Sequence, residues 1–161
     1  MIPIKNKTTL NLILLFSIFA LFAAYFIQYV LGHQPCNLCL IERIPYILTI
    51  IIITLILIFK KFEKFFLLLL TLIFVAATLI SFYHFGIEQG FIKESLVCDL
   101  KVQTNNLTKE DLLKELKTKT ISCKDVTFKI IGLSLASINI IISLILSVIT
   151  LKLFLNYEKN Q

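Results

Sequence analysis

Charge is scarce in this chain. Only 16% of its 161 residues are charged, against about 25% in an ordinary soluble domain. By contrast 58% are hydrophobic, and fourteen are Phe. A soluble protein of this size has no interior large enough for so much apolar surface, so the composition excludes a free globular domain and puts the chain in a bilayer. Arginine is nearly missing too: one stands among sixteen cationic residues, and the net charge of +6 rests on lysines outside the apolar runs. That balance follows membrane topology rather than nucleic-acid binding, and no nucleic acid is expected as a partner. No internal repeat appears beyond the alternation of apolar runs and polar loops, and no stretch reads as a separate soluble domain.

What the chain does have is four apolar runs. The first covers residues 10–31, broken only by Asn11, Ser17 and Gln28. Lys5 and Lys7 precede it and Ala23-Ala24 imitates a cleavage site, but it exceeds the roughly 7–15 residues of a signal-peptide core and reads as a retained helix. The second run, 44–59, falls short of the about 20 residues a span needs. Its helix is therefore expected to begin upstream, near Cys36, with the span at about 41–59. The third and fourth spans are expected at about 65–83 and 130–155. The fold class is an all-α membrane protein, one domain over residues 1–161: a four-transmembrane-helix bundle with two extracytoplasmic loops, about 32–43 and 86–129. In the second loop, Thr108-Lys109-Glu110-Asp111 has capping-box form ahead of Leu112, Leu113 and Leu116. A short amphipathic helix of about three turns is expected there, ending among Lys114, Lys117 and Lys119.

The loops sort by side. The amino end, the turn at residues 60–64 and the carboxyl tail carry seven Lys against two acids, while the long loop carries eight Lys against seven acids. Cationic density close to the membrane ends marks the first face as cytoplasmic. Both cysteine-bearing loops then face the oxidising side, where disulfides persist.

All four cysteines lie in those two loops. Cys36 and Cys39 form a C-x-x-C pair, and Cys98 and Cys123 stand 25 residues apart. Leu40 follows the second cysteine where a c-type haem needs His. No second tight pair supports a structural zinc site, although four cysteines across both loops leave zinc open, and static disulfides are open as well. Redox exchange is favoured for a local reason. With Pro35 leading into the second helix, Cys36 sits at a helix N-terminus, where backbone N–H groups and the helix dipole favour thiolate. Cys39 lies one turn in, and Arg43 one turn further along the same face. Arg43 offers a planar fork for carbonyl or anionic oxygen that Lys does not, and as the one arginine it is favoured as functional over a snorkelling residue at the membrane edge. Glu42 and His84, at the same end of the bundle, are further candidates. Pro45 removes one helix hydrogen bond and marks a bend.

In three segments the chain resembles the bacterial disulfide-bond-formation protein B family of membrane quinone reductases. These are Pro35-Cys36-Asn37-Leu38-Cys39-Leu40-Ile41-Glu42-Arg43, then Tyr83-His84-Phe85-Gly86-Ile87-Glu88 ahead of Cys98-Asp99, and residues 132–139 after Cys123. It differs in lacking Trp and in carrying Glu94-Ser95-Leu96-Val97 where a small Gly-Pro-type turn is often found. Vitamin K epoxide reductase-like proteins share a four-helix thiol–quinone plan but place their C-x-x-C after the loop cysteines.

The resemblance implies an inner-membrane oxidoreductase with both termini cytoplasmic and the cysteine loops periplasmic. A periplasmic thioredoxin-fold dithiol protein would attack a Cys98–Cys123 disulfide through Cys98. Cys123 would then attack Cys36, and Cys39 would pass electrons to ubiquinone or menaquinone in the membrane lipid. Arg43 would hold the quinone, with Glu42 and His84 nearby. Two other readings stay open: a vitamin K epoxide reductase-like thiol oxidoreductase with another acceptor, and a non-enzymatic membrane protein with structural disulfides or zinc.

Overall fold

The structure is a computed structural model, and it describes residues 4–59, 62–93, 98, 122–124, 129–130 and 132–159. Five helices stand among them: α1 (Ile4–Tyr29), α2 (Asn37–Ile41), α3 (Ile44–Ile58), α4 (Glu63–Glu88) and α5 (Leu135–Lys159). Two short strands, β1 (Lys129–Ile130) and β2 (Leu133–Ser134), pair antiparallel just before α5. Gly132 lies between them at φ +81°, a conformation L side chains rarely adopt. Lys129, Ile130, Leu133 and Ser134 are thus spent on paired strands, and the last helix begins at Leu135. The expected amphipathic helix near residues 108–119 lies outside the described residues.

Four stretches are long and apolar enough to cross a membrane: Lys7–Tyr29, Asn37–Ile58, Glu63–Glu88 and Leu135–Glu158. The chain is a four-span helical membrane protein. At a rise of 1.5 Å per residue the spans measure about 33–39 Å, more than the roughly 30 Å hydrocarbon core of a bilayer. The second span joins α2 to α3 through a break at Glu42–Arg43. Pro45, within the first turn of α3, causes the break: it has no N–H to give the preceding turn, and it disfavours helical geometry at Ile44.

α4 and α5 make the most extensive helix contact, α3 packs on α4, and α1 packs on α3. Leu10, Ile13, Ile53, Ile56, Leu67, Leu70, Phe74, Leu146 and Leu153 fill the interior. Outside, Phe19, Phe22, Leu79 and Phe82 are each at least 63% exposed. An apolar exterior on this scale is what a helix bundle presents to lipid.

Lipid offers buried hydroxyls no partner, so they turn back on their own helices. Ser17, Thr49, Thr71 and Thr150 each bond a carbonyl four residues earlier, at 2.8–3.0 Å. Three helices are also tied by polar groups: the Tyr46 hydroxyl donates to Asn139 Oδ1 at 2.5 Å, and Asn139 Nδ2 donates to Ser81 Oγ at 2.8 Å. These bonds link α3, α4 and α5 just inside the end of the bundle that carries the cysteines.

Candidate active site

A second buried cluster, separate from the main interior, gathers Cys36, Leu38, Ile87, Cys98 and Cys123, with Cys39, Ile41 and Tyr83 against it. The start of the second span, the end of α4 and the two loop cysteines meet here. Cys36 and Cys39 form a disulfide with Cα atoms 5.2 Å apart. Cys98 and Cys123 form another, 5.6 Å between Cα atoms, across 25 residues of chain. Both bonds therefore share one apolar pocket, where Cys36, Cys98 and Cys123 are buried.

Cys36 is the N-cap of α2. Its backbone is extended (φ −72°, ψ 169°), and its sulfur accepts the Cys39 backbone N–H at 3.2 Å. The bond that closes the first turn thus ends on sulfur rather than on the usual hydroxyl or carboxylate. When the disulfide opens, that N–H and the aligned dipoles of the turn favour negative charge on Cys36.

His84 stands over this sulfur. It is only 2% exposed, and its Nε2 lies 3.5 Å from Cys36 Sγ. Its Nδ1 lies 3.0 Å from Glu42 Oε1. With Nδ1–H donating to that carboxylate, Nε2 presents a lone pair toward Cys36. Cys36, Cys39 and His84 thus each offer a ligand-type atom within 4.8 Å of the others.

Sequence reasoning missed Glu88. It lies one turn beyond His84 on α4, its Oε1 3.8 Å from His84 Nε2, with a side chain only 6% exposed. Its Oε2 is buried and has no hydrogen-bond partner among the described residues. The signal was the i,i+4 spacing from His84, which places both on one helix face. The backbone that sets this end of α4 is well defined. Gly90, at φ +77°, follows the cap residue Gln89, Gly90 N–H donates to Ile87 C=O, and Phe91 N–H donates to Gly86 C=O. This is a Schellman closure, which stops the helix one turn past His84.

Arg43 points elsewhere. Its Nη1 donates to Gln28 Oε1 at 2.6 Å, and its guanidinium lies over the Tyr25 ring, 4.9 Å from the centroid. Both partners are on α1. Sequence grouped Glu42, His84 and Arg43 as candidates at one end of the bundle; the structure takes Glu42 to His84 and Arg43 to α1. The four cysteines, Glu42 and His84 come together in one site, and Arg43 flanks it on the side of α1.

The model of the family described as "Disulfide bond formation protein DsbB" matches residues 6–153. A relative from Rickettsia prowazekii (strain Madrid E), named "Uncharacterized protein RP370", is 32% identical over 155 residues, covering 94% of this chain and 90% of the relative. No solved structure matches the chain.

Proposed function

The chain belongs to the disulfide bond formation protein DsbB family, membrane oxidoreductases that support disulfide formation, and from that premise we propose that it reoxidises a periplasmic thioredoxin-fold dithiol protein and hands the electrons to a membrane quinone. The observation that carries this reading is the burial of two disulfides in one cluster, with His84 against one of them. Static structural disulfides require no histidine on a sulfur and no carboxylate behind that histidine.

The reaction runs by thiol–disulfide exchange. A partner thiolate attacks Cys98, breaking the Cys98–Cys123 bond and releasing Cys123 thiolate. Cys123 attacks Cys36, forming a Cys36–Cys123 bond and releasing Cys39 thiolate. The second partner thiol resolves the mixed disulfide at Cys98 and leaves the partner oxidised. Cys98 thiolate then attacks Cys123, re-forming Cys98–Cys123 and releasing Cys36 thiolate, and Cys36 closes on Cys39 as the electron pair leaves to the acceptor. Overall, two electrons and two protons pass from the partner dithiol to the acceptor.

Ubiquinone or menaquinone, when bound, supplies the two-electron, two-proton acceptor. The residues here fit such a group. Arg43 sits at the membrane edge beside the C-x-x-C, its fork steadied by Gln28 and Tyr25, and it would hold a carbonyl oxygen. His84 Nε2 would take the proton of the Cys36 thiol as the reduced pair closes again to a disulfide, with Glu42 keeping the ring oriented. The same reading has both termini cytoplasmic, the cysteine loops periplasmic and the protein in the bacterial inner membrane.

The test is quinone-dependent oxidation of a reduced thioredoxin-fold partner by the purified protein in detergent, with Cys39→Ser alongside. Turnover that needs both quinone and Cys39 is expected. Partner oxidation that proceeds equally without quinone would point to a different acceptor, and no oxidation at all to structural disulfides.

A further inference from the structure

The atoms around the Cys36–Cys39 bond have a second chemistry, open only when that bond is reduced. Two cysteine sulfurs and a histidine nitrogen within 4.8 Å of one another make three of the four donors of a tetrahedral zinc site, in which zinc sits about 2.0–2.3 Å from each. Two further features point the same way. Glu42 holds Nδ1 of His84 and leaves Nε2 as the donor facing Cys36, the carboxylate–histidine arrangement that stands behind zinc-bound imidazoles. Glu88 brings a carboxylate to within 3.8 Å of that same Nε2, and its Oε2 is buried without a hydrogen-bond partner among the described residues. The redox relay gives Glu88 no task; it stands outside the group of three donors that lie within 4.8 Å of one another, and from beside Nε2 its carboxylate would swing in as the fourth.

We propose that the reduced C-x-x-C, with His84 and Glu88, is a binding site for one thiophilic divalent cation, Zn²⁺ above all. Two thiols give up two protons as two sulfur–metal bonds form, and no electron moves. The metal-bound pair cannot close to a disulfide until the cation leaves, so bound zinc holds the site reduced and out of the exchange cycle. That last consequence rests on the function proposed above, whereas the binding does not. The oxidised pair has no thiolate to offer, so metal and disulfide exclude each other. Sequence left open a zinc site of four cysteines across both loops but did not point to this donor set, because neither His84 nor Glu88 is near the C-x-x-C in the chain.

The test uses the full chain in detergent, carrying Cys98→Ser and Cys123→Ser so that only one thiol pair remains, reduced with a phosphine and titrated with Co²⁺. One equivalent is expected to give a thiolate-to-cobalt charge-transfer band and the intense visible bands of a tetrahedral ion, both displaced by Zn²⁺. The oxidised protein gives neither, and a further Cys39→Ser change abolishes the charge-transfer band. His84→Gln and Glu88→Gln are each expected to weaken binding at least about tenfold, with circular dichroism confirming native helicity; Glu88→Gln decides if His84→Gln fails to fold. A weak octahedral spectrum, binding to the oxidised protein, or unchanged affinity in the folded Gln variants overturns the site. No cobalt binding by this variant, beside an unaltered chain that turns over quinone, refutes the metal site alone. Cobalt binding by this variant, beside an unaltered chain that never turns over, refutes the relay alone.

Discussion

Arg43→Lys separates charge from shape at the edge of the proposed quinone site. Arg43 makes two contacts with α1: a 2.6 Å hydrogen bond to Gln28 and a guanidinium–ring contact with Tyr25 at 4.9 Å. A hydrogen bond to a charged group contributes about 1.5–3 kcal/mol, and a cation–ring contact about 0.5–2 kcal/mol. A lysine ammonium is a point charge on a flexible stem. It can keep one contact or the other but cannot present a flat fork to an acceptor while doing so. A net loss of about 1–2 kcal/mol corresponds to roughly a 5–30-fold change. The KM for quinone is therefore expected to rise by about that factor, with the KM for the dithiol partner unchanged, because the partner meets the loop cysteines. The assay is steady-state quinone reduction with each substrate varied in turn. An unchanged quinone KM, or an equal rise in both constants, refutes the role given to Arg43.

Cys123→Ser leaves Cys98 without its disulfide partner, so with oxidised partner a stable mixed disulfide through Cys98 is expected on non-reducing gels; an adduct through another cysteine contradicts the order of attack. Glu42→Gln keeps an acceptor near His84 Nδ1 but drops the charge. The weaker bond costs about 1 kcal/mol and is expected to slow re-formation of the Cys36–Cys39 bond roughly fivefold to tenfold, read by thiol alkylation in single turnover; an unchanged rate means the ring needs no orienting carboxylate. Gly90→Ala meets no atom within 4 Å, so its cost is backbone strain alone, about 1–2 kcal/mol at φ +77°. A lower thermal midpoint in detergent is expected, and an unshifted one contradicts the Schellman closure of α4.

Much of the architecture was legible because it follows from local rules. Lipid requires long uncharged helices, and apolar runs of the necessary length can be read directly. The N-cap position of Cys36 was legible as well, since Pro35 precedes it and the 44–59 run is too short to span alone. Other features depend on what the fold brings together. Ile130 looks as apolar as any helical residue, and only Gly132 hints that Lys129, Ile130, Leu133 and Ser134 belong to paired strands. Pro45 announced a bend, but not that the break would send Glu42 to α4 and Arg43 to α1. Cys98 and Cys123 are joined across 25 residues, which no local pattern dictates. Glu88 stands one turn after His84 in the sequence, and its importance appears only when His84, with Glu88 beside it, meets Cys36.

The most direct test of the central claim needs no partner protein. The Cys98→Ser, Cys123→Ser variant, with Cys36–Cys39 chemically reduced, is mixed with excess quinone in detergent, and quinol and free thiols are counted over a single turnover. The account predicts one quinol formed for each Cys36–Cys39 bond regained, and none when Cys39 is Ser. Thiols that stay reduced beside unreacted quinone, in a folded and metal-free protein, would contradict it.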